Sequence, residues 1–187
     1  MKQLSILTCC FLLLTTTVYA GSLVEMKTSL GTIQIELNDT KAPLTVENFL
    51  KYVDQKFYDG TIYHRVIGHF MIQGGGFDQY EKRKVPRNSI KNEAGNGLTN
   101  RKGSISMART GVVDSATSQF FINLVDNDSL NHRGTSPRDF GYAVFGQVVA
   151  GMEVVEKIGK VKTIAKSSLF RNYPEPQVII ESVRRVE

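Results

Sequence analysis

The sequence predicts a closed antiparallel β-barrel accompanied by two short helices. Three observations predict it. Apolar runs of strand length recur along the chain with turn residues between them. Only two stretches place apolar residues at helical spacing. No internal repeat, low-complexity tract or linker divides the chain after residue 20. Many short strands, few helices and long loops are the pattern of a barrel that closes on itself and so leaves no edge unpaired.

The first twenty residues stand apart from this pattern. Lys2, an apolar run from Leu4 to Val18 and the small residue Ala20 have the charge, length and cleavage pattern of a secretory signal peptide cut after Ala20. The run is too short and too rich in Thr to span a membrane, which takes about 20 apolar residues, so no stable membrane insertion is expected. Residues 21–187 then form one domain, long enough to bury a substantial core. Cys9 and Cys10, the two cysteines of the chain, both fall in the leader. The mature chain has no thiol, which suits an oxidising compartment. The net charge of +5 is spread along the chain, apart from Lys82-Arg83-Lys84 and Arg184-Arg185. That reads as a soluble basic surface and not as a nucleic-acid footprint, so no nucleic-acid partner is expected.

Leu23 to Thr28 and Gly31 to Leu37 read as a hairpin across Ser29-Leu30-Gly31. Ile33, Ile35 and Leu37 alternate with Thr32, Gln34 and Glu36, so the second strand is buried on one face. Pro43 opens a helix to about Val53. Val46, Phe49, Leu50 and Val53 form its apolar stripe, with Glu47 assigned to the first turn, and it is expected to lie as a lid over a barrel end. Ile62 to Gly76 is a tight two-strand unit split at Gly68 and closed by three glycines. Strict alternation puts Tyr63, Arg65 and Ile67 on one side and Ile62, His64 and Val66 on the other. Met71 and Gln73 share a face opposite Ile72 and Gly74, so a guanidinium, a thioether and a carboxamide can converge.

Residues 77–103 read as a long ordered loop, Ile105 to Ala108 and Gln119 to Leu124 as short strands, and residues 126–139 as a second loop. A strand at Tyr142 to Val149, a helix at Gly151 to Ile158 with Met152, Val155 and Ile158 inward, and a strand at Gln177 to Val186 complete the chain. Some strands are apolar on both faces. Phe120, Ile122 and Ile72 can fill the interior, which leaves Phe70, Met71 and Phe121 as an outward apolar patch beside Arg65, Gln73 and Gln119. Such patches on soluble chains mark ligand sites.

Five blocks carry a resemblance: Tyr-His-Arg-Val-Ile at 63–67, Phe-Met-Ile-Gln-Gly-Gly at 70–75, Gly-Ser-Ile-Ser-Met-Ala at 103–108, Ser-Gln-Phe-Phe-Ile at 118–122 and Val-Phe-Gly at 144–146. In order and spacing they resemble the cyclophilin family of peptidyl-prolyl isomerases, most of all its bacterial periplasmic members, through Met-Ala-Arg-Thr at 107–110 and the loop beginning Asp-Asn-Asp. The resemblance implies an eight-stranded barrel capped by two helices, with the groove on its outer surface. It implies that Arg65 is the catalytic residue, that Phe70, Met71, Phe121 and Leu130 form a proline pocket, and that Gln73 holds the substrate backbone. Ala108, Arg109 and Gln119 fall where the family binds residues preceding the proline, and Tyr142 where many relatives close the pocket with a histidine. It implies no cofactor, a monomer, and proline-containing peptides and unfolded exported proteins as partners. Two departures stand out. Ser129 occupies about the position of the tryptophan of cyclosporin-sensitive members, which implies weaker cyclosporin binding. Arg109 replaces an asparagine common in eukaryotic members, which bears on the preference before the proline.

Other chemistries fit less well. His64, His69 and His132 lack the paired spacing of a metal site, and His64 reads as a hydrogen-bonded core residue. Ser115 and Ser118 with Asp114 lack a nucleophile elbow. Gly74-Gly75-Gly76 lacks the Lys-Ser/Thr of a phosphate loop. A proline-peptide binding module or holdase, with little turnover, is the alternative that shares the same groove.

Overall fold

The computed structural model describes residues 21–186; the signal peptide expected at residues 1–20 lies outside the described residues. In chain order the elements are β1 (Leu23–Thr28), β2 (Gly31–Leu37), α1 (Pro43–Asp54), β3 (Thr61–Ile67), β4 (Met71–Asp78), β5 (Ser104–Met107) and β6 (Phe120–Asn123). A 3-10 turn at Asp128–Leu130 follows, then β7 (Val144–Ala150), α2 (Met152–Gly159), β8 (Thr163–Ile164), β9 (Tyr173–Pro174) and β10 (Val178–Arg185). Eight of the strands close into an antiparallel barrel in the order β1-β10-β3-β4-β6-β5-β7-β2, with β2 pairing back to β1.

The interior is filled by alternate residues of each strand. Val24, Met26, Ile33, Ile35, Ile72, Ile122 and Phe145 belong to one continuous core. Helix α1 presses Phe49 into it, edge-on to Phe120 and beside Tyr58 and Phe145. Helix α2 adds Val155 and Ile158, both fully buried, with Met152 partly buried beside them. Gly75, at φ +79°, lies where a Cβ would sit 2.9 Å from Tyr58 and 3.0 Å from Phe120. The glycine triplet lies within β4 and not in the tight turn expected to close the two-strand unit, and at Gly75 the missing side chain lets an aromatic cluster reach the backbone.

Several further details depart from the sequence reading. First, Glu47 is not in the first turn of α1; it pairs with Lys51 one turn on, at 2.6 Å. The unpaired N–H groups of that first turn are met instead by Glu93 from the long loop, whose carboxylate accepts from Leu44 N (3.1 Å), Thr45 N (2.8 Å) and Thr45 Oγ1 (2.6 Å). Second, Tyr63 and Arg65 do not share a face. Tyr63 pairs with Gly74 and Arg65 with Gln73, so β3 carries one more residue than β4 over that step. This β-bulge turns Tyr63 into the core, where its hydroxyl donates to Met26 Sδ at 3.1 Å, and leaves Arg65 exposed. Third, the β8–β9 ribbon lies outside the barrel and closes a satellite cluster of Ile62, Phe77, Phe170 and Tyr173.

His64 packs against this satellite cluster and not as a hydrogen-bonded residue of the barrel core. It is buried, its ring stands 4.8 Å from that of Phe77, and among the described residues its Nδ1 has no hydrogen-bond partner. Burial and then the neighbouring Arg65 charge push its pKa down from 6.5 to about 4, against a smaller opposing effect of the Ile62 main chain. The unfolded chain therefore binds a proton that the fold does not between pH 6.5 and 4. Stability is expected to be flat above that window and to fall by roughly 3 kcal/mol as pH drops through it. Denaturant midpoints at pH 7 and pH 4 test this: the loss should be much smaller in His64→Phe, and an equal loss in both proteins would rule His64 out as its source.

Candidate active site

The outer wall of β3, β4, β5 and β6 positions the functional side chains. Register sets Arg65 opposite Gln73, and Gln73 opposite Phe121. Arg65 Nη1 donates to Gln73 Oε1 at 3.3 Å, and Gln73 Nε2 donates to Gln119 Oε1 at 3.0 Å. The three side chains form a polar rail along the groove. Among the described residues Arg65 makes no ion pair, so its charge is held by an amide and is otherwise free to meet a ligand.

Beside the rail lies a pocket of about 250 Å³. Phe70, Met71, Phe121 and Leu130 supply its apolar surface, Arg65 and Gln73 one side, and Ala108, Arg109 and Tyr142 another. The expected outward patch is thus not an open surface. Met71 and Phe121 are only 2 % and 4 % exposed, sunk into the pocket. Tyr142 stands edge-on to Phe121 with ring centroids 5.6 Å apart, and the Arg109 guanidinium lies 4.9 Å from the Tyr142 ring centre. Among the described residues, two arginines and no carboxylate border the pocket. Every predicted residue of the groove lines it except Gln119, which reaches it through Gln73.

Sequence reasoning missed what holds this pocket in shape. A buried amide network runs behind it. Asn127 Nδ2 donates to the Phe70 carbonyl (2.9 Å), its neighbour bond goes to Asn123 Oδ1 (2.7 Å), and Asn123 Nδ2 reaches Ser104 Oγ (2.8 Å). Asn100 takes the Ser106 hydroxyl (2.8 Å) and donates to the Leu130 carbonyl (3.1 Å). Phe70 and Leu130, which come from different loops, are thereby tied to one rigid sheet. The available signal was Ser104, Ser106 and Asn123 within otherwise apolar strands, since buried polar groups require partners.

A larger cleft of about 670 Å³ elsewhere, bordered by Glu36, Lys41, Leu98, Arg101 and Gln147, has no aromatic ring among the described residues that line it. Among the described residues no cluster of three His, Cys, Asp or Glu could hold a metal, and no helix is long and apolar enough to cross a membrane.

A closed barrel that sets a cation over a ring-sized apolar pocket on its outer wall defines a class of proteins able to grip a cyclic side chain beside a main-chain amide. The profile of the family described as cyclophilin type peptidyl-prolyl cis-trans isomerase/CLD matches residues 23–185, and the chain belongs to that family. It is 53% identical over 173 residues to a peptidyl-prolyl cis-trans isomerase of Acinetobacter baylyi, covering 92% of this chain and 90% of the relative. It is also 53% identical over 161 residues to peptidyl-prolyl cis-trans isomerase B of Escherichia coli, covering 86% and 98%. Among solved structures, a cyclophilin-type isomerase of Cryptosporidium parvum superimposes with a TM-score of 0.72 at 26% identity, over 89% of this chain and 98% of that one. The same protein has been solved in the presence of the dipeptide Ala-Pro, with a TM-score of 0.72 over 88% of this chain and 99% of that one. The chain is a cyclophilin-type peptidyl-prolyl cis-trans isomerase.

Proposed function

We propose that Arg65 is the catalytic residue and that the adjoining pocket receives the proline ring of peptides and of unfolded exported proteins. The observation that carries this reading is an exposed guanidinium with no acidic partner among the described residues, tethered by Gln73 at the lip of an apolar pocket. Rotation about an X-Pro bond breaks amide resonance, whose barrier is about 18–20 kcal/mol, and takes tens to hundreds of seconds unaided. No bond to carbon is made or broken, so the reaction calls for no nucleophile, metal, cofactor or general base. It calls for tighter binding of the twisted amide than of either planar form.

As the amide twists, the lone pair localises on the prolyl nitrogen. A permanently charged guanidinium aimed there, or at the turning carbonyl oxygen, stabilises the twisted state. Phe70, Met71, Phe121 and Leu130 hold the ring while the preceding carbonyl turns, and their exclusion of water strengthens the field of Arg65. Gln73 and Gln119 align the peptide backbone, Ala108 and Arg109 border the residues before the proline, and Tyr142 closes the far wall. Held ring, aligned backbone and fixed cation together are what turnover needs, so the groove is read as an isomerase site and not as a passive clamp.

The leader-like pattern of residues 1–20 supports a location beyond the inner membrane, with residues 21–187 acting in the periplasm on exported chains as a thiol-free enzyme. The test is expression of the full chain in a Gram-negative host. Isomerase activity is expected in the periplasmic extract, on a protein that begins at Gly21 and resists alkylating reagents. A cytoplasmic protein that retains Met1 would overturn the location and leave the chemistry untouched.

A further inference from the structure

Arg109 is more thoroughly engaged than a residue waiting for substrate. Its Nε donates to the Gly141 carbonyl at 2.9 Å, its Nη2 to the Pro137 carbonyl at 2.7 Å and its Nη1 to the Thr110 carbonyl at 3.0 Å. The face of the same guanidinium lies against Tyr142. All three nitrogens are thus committed to main-chain acceptors, and the plane is committed to a ring.

The loop it grips depends on that grip. Within residues 132–140 the hydrogen bonds are internal: Arg133 N and Gly134 N to the Asp139 carbonyl, Asp139 N and Phe140 N to the Ser136 carbonyl, and His132 Nδ1 with the Phe140 carbonyl. Among the described residues, the bond from Arg109 to Pro137 is the one hydrogen bond that enters this segment from outside it. The loop then returns through Gly141, at φ +77°, where a Cβ would lie 2.6 Å from His132 N. Asn92 Nδ2 is a second, longer donor to the Gly141 carbonyl, at 3.3 Å. The next residue is Tyr142, the wall of the pocket.

Building on the pocket reading above, we propose that Arg109 is a positioning residue that clasps loop 132–141 to the barrel and so holds Tyr142 against Phe121, instead of donating to the peptide itself. A wall already ordered before binding spares the peptide the cost of ordering it. A loosened wall lowers apparent affinity in proportion to the fraction of molecules that hold the competent shape. The twisted amide is stabilised at Arg65, on the other side of the pocket, so turnover of bound peptide should change little. Lysine cannot take over, because a single ammonium on a flexible stem reaches neither three carbonyls in one plane nor a flat stack.

The test pairs amide hydrogen exchange with steady-state kinetics on the wild-type protein, Arg109→Ala and Arg109→Lys, using a short X-Pro peptide. Exchange at Arg133, Gly134, Asp139 and Phe140 should accelerate at least about tenfold in both variants, the factor expected from losing one charge-assisted hydrogen bond. KM should rise about tenfold with kcat within about twofold. A raised KM with unchanged exchange would mean that Arg109 touches the peptide directly, and the proposal would fall. Wild-type exchange and KM in Arg109→Lys would overturn it as well. Faster exchange in Arg109→Ala, alongside a wild-type protein that binds no X-Pro peptide, would uphold the clasp and sink the pocket reading instead.

Discussion

Arg65→Ala is expected to lower kcat/KM for an X-Pro peptide by about 10²–10³, the loss seen when one preorganised donor to a transition state is removed. The protein should stay folded. Arg65 is exposed, forms no ion pair among the described residues, and is held only by an amide 3.3 Å away, so its truncation should shift stability by less than about 0.5 kcal/mol. Arg65→Lys should recover part of the activity, since it keeps the charge and loses the planar fork. The measurement is isomerisation of the peptide beside a denaturation curve for each variant. Full activity in Arg65→Ala would move the chemistry away from this groove. Lost activity together with lost cooperativity would mean that Arg65 supports the barrel and not the reaction.

Why the outward face of Arg65 was legible in the sequence, while its exact setting was not, follows from how strands encode their faces. Alternation in Ile33, Ile35 and Leu37, and in Phe120 and Ile122, reads out directly because each strand has one face on the core. The same rule misplaced Tyr63 relative to Arg65, because a bulge inserts a residue between two pairings and reverses the parity beyond it. Nothing local in Tyr-His-Arg-Val-Ile announces that insertion; it is imposed by the pairing with β4. The β8–β9 ribbon escaped for a related reason, since two-residue strands are too short to show a period.

Long-range polar contacts were the least legible. Glu93 serves the start of α1 from almost fifty residues away, and a sequence reading looked for the carboxylate within the helix itself. Arg109 was read as a groove residue by its position in a motif, and it does border the pocket. Its engagement with Gly141 and Pro137 depends on a loop whose path no periodicity describes. The aromatic and thioether residues of the pocket were easier to find. They are apolar on the face of a strand that should be polar, and that contradiction is visible without coordinates.

Phe120 and Phe121 convert that contradiction into a pair of opposite expected results. Phe120 is fully buried, packed edge-on against Phe49, Tyr58 and Tyr63. Phe120→Ala should therefore cost about 3–5 kcal/mol, a large share of the roughly 5–15 kcal/mol that holds a domain together. Phe121 is almost as inaccessible, yet its ring faces the pocket and Tyr142 instead of the core. Its removal enlarges a space that already opens to water, so no sealed cavity remains and the stability loss should be about 1–2 kcal/mol. With the pocket receiving proline as proposed, its loss of a wall should lower kcat/KM by about 10- to 100-fold. Denaturant midpoints and peptide isomerisation, measured side by side for the two variants, decide the matter. If Phe121→Ala destabilises as much as Phe120→Ala while retaining activity, Phe121 belongs to the core, and the outer wall of β6 cannot be the floor of the site.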